Sequence, residues 1–170
     1  MPGRSQIGGG PVSDARRRNM SAVRGKNTVP ELTVRKMLYG LGYRYRLHCA
    51  DLPGRPDIVF RNRRKIVEVR GCFWHRHREP GCSKAGIPAT RREWWEEKLS
   101  GNAQRDERNL AALNAMGWDV LVLWECELRG VEDLRIRLQH HLGPPGGSSK
   151  SVRAGVEPDS CSVSGQTAKG

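Results

Sequence analysis

The sequence predicts an α/β domain in which helices flank a mixed β-sheet. Three observations carry this. Two short apolar runs, Ile58-Val59-Phe60 and Ile66-Val67-Glu68-Val69, are separated by Asn62 and a basic turn, as in a hairpin. A third run, from Trp118 to Trp124, is apolar at Val120, Leu121, Val122 and Leu123. Helix-length segments with start and stop signals stand before, between and after these runs.

The elements follow in order. Thr28 suits a helix N-cap and Pro30 the first turn. Leu32, Leu38 and Leu41, with Arg35 and Lys36 between them, recur at helical spacing, and Gly42 stops the run. Tyr43, Tyr45 and Leu47 alternate as a strand. A loop from Gly71 to Ala89 follows the hairpin. Thr90 is placed to cap a long helix reaching about Met116, with Trp95, Leu99, Leu110 and Leu113 on its apolar side and Gly101 as its weak point. Of Trp94 and Trp95, one is expected in the core and one exposed. A final helix is expected from about Val131 to His141.

With 170 residues, 36% of them hydrophobic, the chain has material for one domain. Residues 1–18 read as a flexible basic N-terminal arm, 19–142 as the folded domain, and 143–170, rich in Gly and Ser, as a disordered tail. No apolar run is long enough to span a membrane and no signal peptide precedes the domain, so a cytoplasmic location is expected. Five cysteines in a reducing compartment point away from disulfides and towards metal ligation by a subset.

A net charge of +12 and a pI near 10.2 favour a polyanionic partner. The charge is clustered: Arg16, Arg17, Arg18, Arg24 and Lys26 form one run, and Arg61, Arg63, Arg64 and Lys65 another. A solvated basic face is the plain alternative. Aromatics nearby, on which bases stack, make nucleic acid the stronger expectation.

Residues 71–77, Gly-Cys-Phe-Trp-His-Arg-His, crowd a thiol, two aromatics and two imidazoles together. Cys72, His77 and Cys82 are evenly spaced, and Cys126 ends a core strand. Three thiolates and one imidazole suit structural tetrahedral zinc, with no position left open. His75 is an alternative ligand in the same string, and buried reduced thiols are the plain alternative to the whole cage. Pro56-Asp57 and Glu68-Val69-Arg70 fit the Pro-Asp … Glu-x-Lys pattern of restriction-endonuclease-like nucleases, with Arg for Lys. Asp57 and Glu68 at one sheet edge are candidate Mg²⁺ carboxylates. His75 is a candidate general acid/base. Phe73 and Trp74 are either core or wedges that unstack base pairs, a step a mismatch makes easier.

These residues resemble the very short patch repair (Vsr) mismatch endonucleases. The likeness covers about residues 16–130. It runs through the basic residues before Asn19-Met20, Glu31, Leu52-Pro53-Gly54-Arg55-Pro56-Asp57, Gly71-Cys72-Phe73-Trp74-His75, Pro88-Ala89-Thr90 with Glu93-Trp94-Trp95, Asn102 with Arg105-Asp106, and Gly117-Trp118 through Trp124-Glu125-Cys126. The resemblance implies a restriction-endonuclease-like core with a zinc-stabilised loop. It implies a nucleoid-associated enzyme, acting on one strand as a monomer, that nicks beside the thymine of a T:G mismatch left by deaminated 5-methylcytosine. It implies Mg²⁺ at Asp57 and at the Val69 carbonyl, acid/base chemistry at His75 supported by Glu31, and intercalation by Phe73, Trp74 and Trp95. DNA-backbone contacts would come from Arg17, Arg18, Asn19, Arg24 and Lys26. Zinc would be held by Cys72, His77 and Cys126, with Cys82 nearest for the remaining ligand. The family's partners, mismatch-repair proteins and a cytosine methyltransferase, are implied with it. One departure is Arg70, where the family often has a catalytic His. Another is Glu68, an often apolar position and here a candidate second metal carboxylate. Two further functions stay open: a restriction-like nuclease with another target, and a mismatch-binding protein that does not cut.

Overall fold

The computed structural model describes residues 25–146. Arg17, Arg18, Asn19 and Arg24, expected to contact the DNA backbone, lie outside them. The elements are α1 (Val29–Gly40), β1 (Arg46–Leu47), β2 (Ile58–Phe60), β3 (Lys65–Arg70), α2 (Arg92–Ala115), β4 (Asp119–Trp124) and α3 (Val131–Leu142). Short 3-10 turns occupy Arg61–Arg63, Ser83–Ala85 and Glu125–Arg129.

The sheet order is β1-β2-β3-β4. β1–β2 and β2–β3 are antiparallel, while β3–β4 is parallel. Parallel neighbours need a long crossover, and the loop after β3 together with α2 supplies it. Both faces of the sheet are covered. Ile58, Phe60, Val67, Val69 and Leu123 pack against Val34 and Leu38 of α1 and Leu134, Leu138 and Leu142 of α3. Val59 and Ile66 pack on the other side with Leu113 of α2, Trp118, Cys49 and Leu52. Burial on both faces explains why β2 is continuously apolar rather than alternating. Glu68 and Arg70 share the Ile66 side of β3 by strand alternation.

The first helix is as expected at its start: Thr28 and Glu31 form a capping box, with Pro in the first turn. Its buried stripe differs. Glu31, Val34 and Leu38 face inward, whereas Leu32 is 37% exposed. Leu32 sits one residue out of phase with that stripe, about 100° around the helix. A carboxylate therefore occupies the first inward position.

β1 is shorter than the alternation of Tyr43, Tyr45 and Leu47 suggests. The Tyr43 N–H donates to Leu38 O at 3.0 Å, closing the end of α1, so Tyr43 is taken by the helix cap and not by the ladder. Gly42 makes this return possible at φ +89°. The rings of Tyr43 and Tyr45 still meet Phe60 edge-on, at 6.1 and 5.9 Å. Beyond α3, the Gly143 carbonyl accepts from Tyr43 Oη and the Pro144 carbonyl from Arg63.

α2 begins one residue later than Thr90 capping predicts. Its N-cap is Arg91, at φ +55° and with no side-chain cap bond. The helix runs through Gly101 without a break. Among the described residues no helix is long and apolar enough to cross a membrane.

Leu38→Ala should destabilise the domain by about 2–5 kcal/mol, the usual range for a truncated core leucine. Leu32→Ala should change stability by less than about 0.5 kcal/mol. Urea unfolding of the two variants checks the phase of α1; equal losses would contradict it.

Candidate active site and metal cage

Asp57 stands just before β2. The turn leading to it is fixed by local chemistry. Arg55 N–H donates to Leu52 O at 3.1 Å, and Gly54 adopts φ +74°. A Cβ on Gly54 would lie 2.7 Å from Asn109 Nδ2 of α2, so the backbone there needs glycine for both conformation and space. The β2–β3 register pairs Ile58 with Val67, which puts Asp57 across from Glu68. The Asp57 carboxylate accepts the Val69 N–H at 2.9 Å. Burial pushes the Asp57 carboxyl up to about 7; the Val69 N–H opposes this, while the charges of Glu31 and Glu68 add to it.

Glu31 reaches this carboxyl from α1. Its Oε1 lies 3.1 Å from His48 Nε2 and 3.2 Å from Arg35 Nη1. His48 Nδ1 lies 3.9 Å from Asp57 Oδ1. Burial, foremost, holds the His48 imidazole below its ordinary pKa, and Glu31 opposes that shift. His48 was not among the site residues expected from the sequence. The β1–β2 register carries the signal: Leu47 pairs with Ile58, so the next pair outward is His48 with Asp57.

His75 meets a different acid. Its Nδ1 lies 2.6 Å from Asp106 Oδ2 on α2, while Glu31 turns to His48, Arg35 and Thr28. Asp106 shares one stripe of α2 with Trp95, Leu99, Asn102 and Asn109, at helical spacings. Asn102 Nδ2 donates to the Trp74 carbonyl at 3.1 Å, which ties the aromatic loop to the same stripe. Asp106 too had no assigned role in the sequence; its signal was its distance of one helical turn from Asn102.

Glu68 Oε2 accepts from Arg70 Nε at 3.0 Å and from Nη2 at 2.5 Å. The carboxylate expected to add to a metal site is thus engaged by its strand neighbour. Phe73, Trp74 and Trp95 form one edge-to-face cluster with centroid separations of 5.0 to 6.1 Å. All three are half-buried, and Trp94 extends the cluster outward at 43% exposure. A cleft of about 630 Å³ joins Glu31, His48, Asp57, Arg70, Trp74, His75 and Asp106, with exposed Lys26 at its rim.

Cys72, His77, Cys82 and Cys126 converge, with ligand atoms all within 4.8 Å of one another. Tetrahedral zinc–thiolate geometry asks for separations of about 3.8 Å, so the donor set fits a metal. Cys126 Sγ is 3.4 Å from His77 Nδ1. The His77 ring stacks on Trp124 at 4.2 Å and 17°. A hydrogen bond from His77 leads in lowering the Cys82 thiol to about 7, whereas burial pushes Cys72 up to about 12 and raises Cys126. One thiol is thus primed to ionise, and a cation would have to draw the protons from the other two.

The family model described as DNA mismatch endonuclease Vsr matches residues 12–81. A type II nicking enzyme of Xanthomonas oryzae pv. oryzae is 49% identical over 131 residues, covering 77% of this chain and 94% of that protein. The DNA mismatch endonuclease Vsr of Escherichia coli is 43% identical over 119 residues, covering 70% of this chain and 74% of that protein. A type II nicking enzyme of Neisseria meningitidis is 40% identical over 119 residues, covering 70% of this chain and 83% of that protein. A buried carboxyl, a histidine–aspartate pair and an aromatic cluster around one cleft agree with these likenesses: the chain belongs to the Vsr DNA mismatch endonuclease family and is an endonuclease that acts on DNA.

Proposed function

We propose that this endonuclease nicks one strand of duplex DNA beside the thymine of a T:G mismatch, in the very short patch repair of deaminated 5-methylcytosine, and that it needs Mg²⁺. The observation that supports this best is the joining, in one cleft, of the Asp57 carboxyl, the His75–Asp106 pair and the Phe73–Trp74–Trp95 cluster. The relatives named as a mismatch endonuclease and as nicking enzymes support mismatch recognition and strand nicking.

Asp57 and the Val69 carbonyl would hold the catalytic cation, on a restriction-endonuclease-like core. Bound there, the cation would neutralise charge on the scissile phosphate and lower the pKa of a water. Asp106 orients the His75 ring through Nδ1, which leaves Nε2 to exchange a proton. Arg70 is held by Glu68 at the cleft wall, where its guanidinium suits a phosphate oxygen better than proton transfer. The rings of the aromatic cluster are half-buried, so each keeps some exposed surface, and a weak base pair lowers the cost of inserting Trp74. Lys26, with Arg17, Arg18, Asn19 and Arg24, would follow the DNA backbone. Zinc at Cys72, His77, Cys82 and Cys126 would pin the aromatic loop to the end of β4.

Three outcomes are expected. On end-labelled duplexes with Mg²⁺, the protein should nick T:G and spare T:A. Asp57→Ala and His75→Ala should each lower the rate by about a hundredfold or more, and Trp74→Ala should lose more discrimination than general affinity. Nicking of T:A as fast as T:G would favour a restriction-like nuclease with another target; T:G-selective binding without nicking would favour a mismatch sensor.

Asp57 also makes a stability prediction. Its folded pKa, about 7, lies above the ordinary value of 3.8, so the folded state holds the proton more tightly. This contribution to stability is present at low pH and is lost as pH rises from about 4 to about 7. Without added Mg²⁺, Asp57→Asn should therefore raise the thermal midpoint, and by more at pH 8 than at pH 5. A rise that is the same at both pH values would show that Asp57 is not the titrating group.

Cys126→Ser should lose bound zinc and lower the thermal midpoint. Unchanged metal content by mass spectrometry would remove the zinc assignment.

A further inference from the structure

Glu31, His48 and Asp57 converge from three separate segments at the floor of the cleft, with ligand atoms within 4.8 Å of one another. The β1–β2 register sets His48 opposite Asp57, and α1 brings Glu31 from the side. His48 Nε2 is buried and has no hydrogen-bond partner, although Glu31 Oε1 lies only 3.1 Å away. That contact has the distance of an ion pair without the direction of a hydrogen bond. A buried ring nitrogen with only this misdirected contact is open to a better-placed partner. Arg35 Nη1 lies 3.2 Å from Glu31 Oε1.

We propose that Glu31, His48 and Asp57 form a divalent-cation position that favours a borderline ion of the Mn²⁺ kind over Mg²⁺, building on Asp57 as the metal carboxylate of the proposed nuclease. Mg²⁺ takes oxygen ligands and keeps most of its waters. An imidazole ligand favours ions further along the first transition row. His48 is therefore the residue that sets the preference. Glu31 adds the second carboxylate, and its place in the capping box fixes it to the start of α1. The zinc cage is a separate group, built from Cys72, His77, Cys82 and Cys126.

The test is direct cation binding to the zinc-loaded protein without DNA. Free Mn²⁺ is followed by electron paramagnetic resonance, and Mg²⁺ is added in competition. The native protein should bind Mn²⁺ at a site from which Mg²⁺ displaces it only in large excess. His48→Gln should weaken Mn²⁺ by roughly ten- to a hundredfold, as expected for loss of a metal-site group, and should weaken Mg²⁺ by less. Glu31→Gln, whose amide oxygen can still accept the helix cap bond, gives the same readout should His48→Gln fail to fold. Unchanged Mn²⁺ affinity in both folded variants, with binding lost in Asp57→Ala, would overturn the inference while leaving Asp57 as a metal residue. Absence of Mn²⁺ binding in the native protein would overturn it too. Mn²⁺ binding that depends on His48, in a protein that nicks no duplex, would support the inference and count against the proposed mismatch activity.

Discussion

The bond from the Val69 N–H to the Asp57 carboxylate is the constraint on which the site depends. It forms where the β2–β3 ladder ends, so a side chain takes the donor that another strand residue would otherwise use. β3 is an inner strand, paired on both sides, and its backbone is held by two ladders. A carboxyl tied to that backbone inherits its rigidity. The same bond partly offsets the cost of burying the carboxyl, without removing it. The fold thus holds a buried acid at a fixed place.

α2 acts as the second ruler. One stripe of this helix carries Trp95, then Leu99, Asn102 and Asp106, and ends in the buried Leu113. It therefore fixes the aromatic cluster, the backbone of the loop at Trp74, the His75 ring and the core with one rigid body. The loop between β3 and α2 buries Cys72 but offers little else to a core. Such a segment gains order chiefly from its tethers: the Asn102 bond, the His77–Trp124 stack and the thiol–imidazole cage. If Phe73 and Trp74 act as the proposed wedges, a tethered loop costs them less entropy on meeting DNA than a free one would.

Much of this was legible in the sequence because it is local. The capping box at Thr28 and Glu31, the hairpin joining β2 to β3, and the apolar run of β4 each follow from residues close in the chain. The cage was legible through the spacing of Cys72, His77 and Cys82, with Cys126 placed by the strand before it. What escaped depends on tertiary contact. Leu32 is exposed because packing chose the stripe through Glu31, and no periodicity count ranks a carboxylate above a leucine. His48 becomes part of the site only once the register of a two-residue strand is known. Asp106 becomes the partner of His75 only once α2 is laid across the sheet.

The acids of the cleft show why Asp57 stands apart. Glu68 is met by Arg70 at 2.5 Å, Asp106 by His75 at 2.6 Å, and Glu31 by Arg35 at 3.2 Å and His48 at 3.1 Å. Asp57 has a backbone N–H at 2.9 Å, and its His48 contact is longer, at 3.9 Å. Each of these three carboxylates has a basic side chain within ion-pair distance. Asp57 has none so close, and burial above all, with the charges of Glu31 and Glu68, pushes its carboxyl up to about 7. The Glu68–Arg70 pair takes on meaning from this contrast. Were Arg70 free to swing to Asp57, it would fill the place of a cation with a fixed charge. Held by Glu68 on the same face of β3, the guanidinium stays on the cleft wall, which in the proposed reading suits an incoming phosphate and leaves Asp57 for a metal ion.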